Sequence, residues 1–293
     1  MPLDEWRAQG RSFDFRGQAI RYWVAGPGAQ ATAEQAEPLL LIHGFPTASW
    51  DWHYLWQPLA QQYRVIACDM LGFGDSAKPR GHAYRLLEQA DLQQALLAHL
   101  GIAGPVHLLA HDYGDSVAQE LLARHHEGRL QLGSCVFLNG GLFPETHRPV
   151  LVQKLLLGPL GPLIGRLFSR QKLAANFNRI FGPATRPSEA ELDDFWRLIA
   201  MNDGPGVMHR LIRYIPERHQ QRARWVAAMQ QGGVPLRVID GAHDPISGGH
   251  MVARYRELIP APDSVLLEGI GHYPQTEAPE LVLAHYLAFR AAL

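Results

Sequence analysis

The sequence predicts an α/β protein built on one mostly parallel, doubly wound sheet, and three observations predict it. Short apolar runs bounded by turn residues recur along the 293 residues, and stretches with helical spacing fall between them. One run, Val106 to Ala110, leads through a tight turn into an apparent helix. Continuous apolar runs suit strands buried on both faces, as in a parallel sheet, and their alternation with helices is the doubly wound pattern.

The expected strands are Ile20 to Val24, Leu39 to Ile42, Arg64 to Cys68, Val106 to Ala110, Cys135 to Leu138, Leu236 to Ile239 and Ser264 to Leu267. Leu86 to Leu100, Val117 to His125, Met251 to Ile259 and Leu281 to Ala291 carry the 3.6 spacing of amphipathic helices. Gly28 to Glu37 lacks periodicity and reads as a surface loop. After Leu138 the alternation stops, and it resumes near Val234. The expected organisation is a core of residues 1–143 and 233–293 with a helical cap, 144–232, inserted after the sixth strand of the fold. Gly and Pro interrupt that insertion at 157–165, 181–183 and 203–206, which predicts several short helices.

Composition narrows the partners. With 27 basic and 28 acidic residues the net charge is -1, which favours neither nucleic acid nor an anionic membrane over the chain as a whole. A small, neutral, hydrophobic substrate fits better. Cys68 and Cys135 both lie in apolar runs and read as buried thiols, pointing to a cytoplasmic protein. The acidic start, Met1 to Trp6, does not resemble a signal peptide, and no apolar stretch approaches the roughly 20 residues of a membrane span. No cofactor or metal is expected, since His-Glu-x-x-His and Cys-x-x-Cys spacings are absent. A homodimer is left open.

The chemistry centres on Asp112, at the apex of Ala110-His-Asp-Tyr-Gly114. Small residues two before and two after the apex let the backbone turn sharply and expose the side chain, the geometry of a nucleophile elbow. An aspartate capping the following helix is the plain alternative. A serine there would mean acyl transfer, whereas a carboxylate attacks saturated carbon and forms an alkyl ester. One strand-helix unit earlier, His43-Gly-Phe-Pro-Thr-Ala-Ser-Trp50 follows a strand end. Its Phe45 N–H, with that of Tyr113, would form an oxyanion hole, and His43 and Trp50 are candidates to line the substrate site. Asp69 to Ser76 reads as a packing loop.

A nucleophilic carboxylate needs a base to activate water and a second acid to orient the base. His272, in a glycine-rich loop between the last strand and the last helix, is the expected base. Asp244, in the loop beyond the strand ending at Ile239, is the expected acid. Asp240 sits inside the strand end and reads as structural, and Asn139 cannot carry the charge that an imidazolium needs.

His43-Gly-Phe-Pro46, His111-Asp-Tyr-Gly114, Gly241-Ala-His-Asp-Pro245 and Gly271-His272 together resemble the epoxide hydrolase and haloalkane dehalogenase branch of the α/β-hydrolases. The likeness covers essentially the whole chain. It implies a two-step hydrolysis: Asp112 forms a covalent ester, which water activated by His272 and Asp244 then hydrolyses. In that branch epoxide oxygens are protonated by cap tyrosines or a histidine, and Tyr214 is the only tyrosine between 144 and 232. It stands in Leu211 to Pro216, similar to the segment that carries the ring-opening tyrosine, with His147, His209 and Trp196 as candidate companions. Tyr113 replaces the tryptophan that usually follows the nucleophile in dehalogenases, and Phe45 replaces a halide-binding amide. Epoxide hydrolysis is therefore the leading expectation, haloalkane dehalogenation the second, and a non-catalytic ligand-binding protein the third. Asp115 reads as an acid that complements the helix dipole, or, were it to face the cleft, opposes anionic substrates.

Overall fold

The computed structural model describes residues 1–27 and 36–293, so most of the loop expected from Gly28 to Glu37 lies outside the described residues. The strands are β1 Arg11–Phe15, β2 Gln18–Ala25, β3 Pro38–Ile42, β4 Arg64–Cys68, β5 Val106–His111, β6 Leu132–Leu138, β7 Leu236–Gly241 and β8 Ser264–Leu267. They form one sheet in the order β1-β2-β4-β3-β5-β6-β7-β8. β3 through β8 pair in parallel, and β2 joins β4 antiparallel. The β1–β2 hairpin adds an antiparallel edge that the apolar runs did not reveal. Arg11–Phe15 buries only Phe13 and Phe15, so it lacks the continuous apolar run of an inner strand.

The core helices are α1 Leu3–Gln9, α2 Trp56–Ala60, α3 Leu86–His99 and α4 Tyr113–His126, followed beyond β7 by Gly249–Leu258, Pro274–Glu277 and Pro279–Ala291. A single apolar core runs along both faces of the sheet, and every residue of β5 is buried. α1 is pinned through Trp6, whose ring stacks on Trp23 at 5.0 Å and meets Trp56 edge-on at 4.8 Å. Such aromatic pairs contribute beyond the apolar area they bury. Cys68 and Cys135 are free and buried, as their apolar surroundings require.

Between β6 and β7 stand six helices: α5 Leu151–Leu157, α6 Gly161–Arg166, α7 Arg170–Ile180, α8 Glu189–Ala200, α9 Gly204–Leu211 and α10 Tyr214–Gln230. Each Gly/Pro interruption coincides with a helix boundary. α5 ends at Leu157, α7 at Ile180, and α9 begins at Gly204 with Pro205 in its first turn, where a missing N–H costs nothing. Ser188 and Glu191 close a capping box at the start of α8. The insertion rests on the core chiefly through α10, which packs along α4.

Beyond the carboxyl ends of β3, β5, β6, β7 and β8 the chain reaches Phe45, Asp112, Asn139, Asp244 and His272 in turn. Convergence of loops at that edge is the general location of sites in open α/β sheets.

Candidate active site

Asp112 sits at φ 48°, ψ -104°, a backbone conformation that costs energy for any residue other than glycine. The turn is possible because its neighbours are small. A Cβ at Gly114 would run into the carbonyl oxygen of Ile42, and one at Gly44 would lie 3.0 Å from the Asp112 Cβ. The Asp112 side chain makes no capping bond to α4. Its Oδ2 instead accepts the Phe45 N–H at 3.1 Å. The Phe45 amide thus already points at the carboxylate.

His272 Nδ1 lies 2.7 Å from Asp244 Oδ2, with both side chains buried. That same oxygen accepts bonds from Asn139 Nδ2 at 3.0 Å, Ser247 Oγ at 3.0 Å and Ser247 N–H at 3.1 Å, while Oδ1 accepts the Ile246 N–H at 2.8 Å. Burial opposes ionisation of Asp244, but the facing His272 and these donors hold its carboxyl below the ordinary range. Asp240 is placed differently: its Oδ1 accepts the Asn139 N–H at 2.6 Å, and burial raises its carboxyl well above that range. Asn139 is therefore the brace between the two acids, a role that excluding it as a charge carrier did not anticipate.

Burial also disfavours the charged form of His272, yet Asp244 and then Asp112 outweigh it and lift the imidazole to about 9. For Asp112 burial raises the carboxyl, while His272, Arg218 and the Phe45 N–H together hold it below the usual carboxylate range. The neighbouring His111 is neutral: burial and the His272 charge push it to about 3, and its Nε2–H donates to the His272 carbonyl at 2.7 Å. Loop 271–273 is clamped by Glu277, whose carboxylate accepts the N–H groups of Gly271, Tyr273 and Gly182 and the Thr185 hydroxyl. The His272 N–H donates to Ile180 at 2.7 Å. The insertion thus helps to hold His272 in place.

Tyr214, the first residue of α10, is fully buried with its ring 5.9 Å from Phe45 and 5.1 Å from Tyr113. Gln153 donates to its hydroxyl oxygen at 3.3 Å, leaving the phenol proton free, and burial with the Asp112 charge keeps that proton bound. A narrow apolar cavity of about 50 Å³ reaches His272 and Phe45 and is walled by Gln153, Leu156, Phe168 and Leu173. His147 lies nearby, neutral because burial and the Arg218 charge depress it to about 3, and neither ring nitrogen has a partner.

Four expected substrate-lining residues are placed elsewhere. His43 is enclosed beneath the turn: its Nδ1 bonds the Gly44 carbonyl at 2.9 Å, and its Nε2 accepts the Met70 N–H at 3.0 Å. Burial pushes it down to about 4, so it is a neutral brace. Trp50 stacks on His53 at 4.0 Å and donates Nε1–H to Met1, turned away from the cavity by the helical turn at 49–52. Trp196 packs half-buried against Phe168, outside the cavity wall. His209 lines a separate cleft with His82 and Arg213. Asp115 is no dipole-complementing surface charge either, since burial and then Asp240 and Asp112 raise it well above the carboxylate range. Asp69 accepts from Ser49 and Asp75, consistent with a packing role.

Arg218 is not legible as a site residue in the sequence. From α10 its Nη2–H donates to the Asp112 carbonyl at 2.8 Å and stands 3.5 Å from Oδ1, while its Nε–H donates to Ser116 Oγ at 2.6 Å. Its guanidinium lies 4.5 Å from the Tyr214 ring centroid. One arginine among three in a polar helix gives no sign of such burial. Only its place one turn after Tyr214 on the same helix face could have pointed to it.

The sheet order, the elbow and the His272–Asp244 pair define a hydrolase of the α/β type. The alpha/beta hydrolase fold family matches residues 37–279, and the chain belongs to it. It is 43% identical to the mesoderm-specific transcript protein of Mus musculus, over 98% of this chain and 87% of that one. It is 41% identical to the protein LipZ of Mycobacterium tuberculosis H37Rv, over 94% of this chain and 93% of that one. Among solved structures, the epoxide hydrolase CorEH superposes with a TM-score of 0.76 at 22% identity, over 97% of this chain and 98% of that one, a likeness of fold.

Proposed function

We propose that the protein is a hydrolase with Asp112 as nucleophile, converting apolar epoxides to vicinal diols through a covalent alkyl-enzyme ester beneath a helical cap. The observation that carries the reading is the pairing of an ionised, strained Asp112 with a buried Tyr214 hydroxyl whose proton is free. An Asp112 oxygen attacks an epoxide carbon, the ring C–O bond breaks, and its electron pair goes to the ring oxygen. That oxygen takes the Tyr214 proton. The Arg218 charge over the ring offsets the phenolate, and His147 is the second donor near Asp112.

Esterification removes the Asp112 charge, one of those that hold the His272 proton. His272 then gives up that proton, which restores the Tyr214 phenol, and can deprotonate water, which adds to the Asp112 carboxyl carbon. The Phe45 and Tyr113 N–H groups donate to the oxyanion, Asp244 stabilises the imidazolium, and collapse breaks the acyl–oxygen bond. The leaving oxygen takes the His272 proton and the Asp112 carboxylic acid returns its own to His272, so epoxide and water yield diol and both groups regain their starting charge.

An acyl ester would leave an anhydride on Asp112, so a carboxylate nucleophile disfavours esterase activity. The complete set of Asp112, His272 and Asp244 argues against a protein that only binds ligand. Incubation with an epoxide panel and a haloalkane panel separates the two alkyl-transfer readings. Diol without halide supports the proposal, and halide release alone overturns it in favour of a dehalogenase.

A further inference from the structure

The segment between Glu145 and Glu189 contains no acidic residue and seven basic ones, within a chain of net charge -1. Whole-chain balance conceals this. Of the seven, Arg170 alone forms an ion pair among the described residues, with Glu189 and Asp193. Lys154, Arg166 and Lys172 are exposed.

The same segment presents a row of exposed leucines. Leu151 is 64% exposed, Leu155 46%, Leu160 63%, Leu163 53% and Leu167 54%. Leu151 and Leu155 share one face of α5, one turn apart, and Leu160, Leu163 and Leu167 continue the row along α6 at helical spacing. Leu156 of α5 and Phe168 just after α6 turn inward and line the cavity that reaches His272. One thin layer therefore has an apolar cavity on its inner side and unpartnered leucines among free cations on its outer side.

We propose that α5 and α6 dock the protein peripherally on an anionic lipid surface, with the leucines at the acyl boundary and the basic side chains among the headgroups. Exposed apolar rows mark interaction surfaces, and a basic rim selects an anionic one. A second copy is the poorer occupant, because pairing the same face would bring two acid-free, basic segments together. The chemistry of Asp112 is not needed for this inference, and binding is read without substrate. Docking would open the cavity toward substrates dissolved in the bilayer.

Flotation with vesicles tests it. The full chain should bind vesicles of equimolar phosphatidylcholine and phosphatidylglycerol, and about tenfold more weakly vesicles of phosphatidylcholine alone or the mixed vesicles in high salt. Leu160→Ser/Leu163→Ser and, separately, Lys154→Gln/Arg166→Gln/Lys172→Gln should each weaken binding about tenfold. Leu281→Ser, an exposed leucine on the core, should not. All these side chains are exposed, so the melting temperatures should be unchanged. No binding to mixed vesicles, undiminished binding by both patch variants, or a wild-type dimer that the leucine variant dissolves would overturn the proposal.

Discussion

Arg218 of the helical insertion bonds the main-chain oxygen of Asp112 at 2.8 Å and stands 3.5 Å from its carboxylate, both side chains being buried. The elbow belongs to the core and the cation to the insertion, so the charge state of Asp112 depends on how the two parts pack.

Arg218→Met should leave Asp112 without its counter-charge and Ser116 without its donor. Breaking one side of a buried pair typically costs about 3–5 kcal/mol, to be read by urea denaturation. The acid limb of the kcat/KM profile should also move to higher pH, because Arg218 is one of the groups that hold the Asp112 carboxyl down. Arg218→Lys should recover part of that shift and little of the geometry, since an ammonium lacks the fork. An unmoved acid limb would contradict the assigned role.

Tyr214→Phe should lower single-turnover epoxide opening by about 10²–10⁴, the usual scale of general-acid catalysis. Hydrolysis of an ester already formed on Asp112 should change little. Rapid-quench kinetics separates the two steps, and an equal loss in both would remove Tyr214 from the ring-opening role.

The His272 imidazole is lifted to about 9 by Asp244 and Asp112 against its burial. A folded-state value above the unfolded one makes its contribution to stability complete below about pH 6.5, and that contribution fades as pH rises through about 9. Asp112 and Asp244 have depressed values, so their contributions are instead lost in acid, below about pH 4. The stability advantage of wild type over His272→Gln should thus narrow between pH 7 and about 9.5 in urea titrations. Parallel curves would mean that His272 carries no bound proton at neutral pH.

What the sequence reveals of this arrangement follows from whether the constraint is local. The elbow is legible because Ala110, Asp112 and Gly114 lie within five residues and the turn needs small neighbours. His272 and Asp244 are legible because strand ends are local features and the sheet brings them to one edge. Arg11–Phe15 is hidden, since an edge strand buries one residue in two. Trp50 and His43 adjoin the right loop, but their directions are set by contacts with Met1, His53 and Met70 that spacing cannot show. Arg218 is hidden because its burial depends on how α10 packs against α4. The basic segment is hidden because acidic residues elsewhere in the chain cancel its charge in the net value of -1.

Covalent chemistry at Asp112 is read most plainly by intact-mass spectrometry of His272→Gln incubated with an epoxide that the wild type turns over. The His272→Gln chain should gain the mass of the whole epoxide, mapped by peptide analysis to Asp112 and absent in Asp112→Asn/His272→Gln. An unmodified His272→Gln chain, or the adduct on another residue, would contradict it.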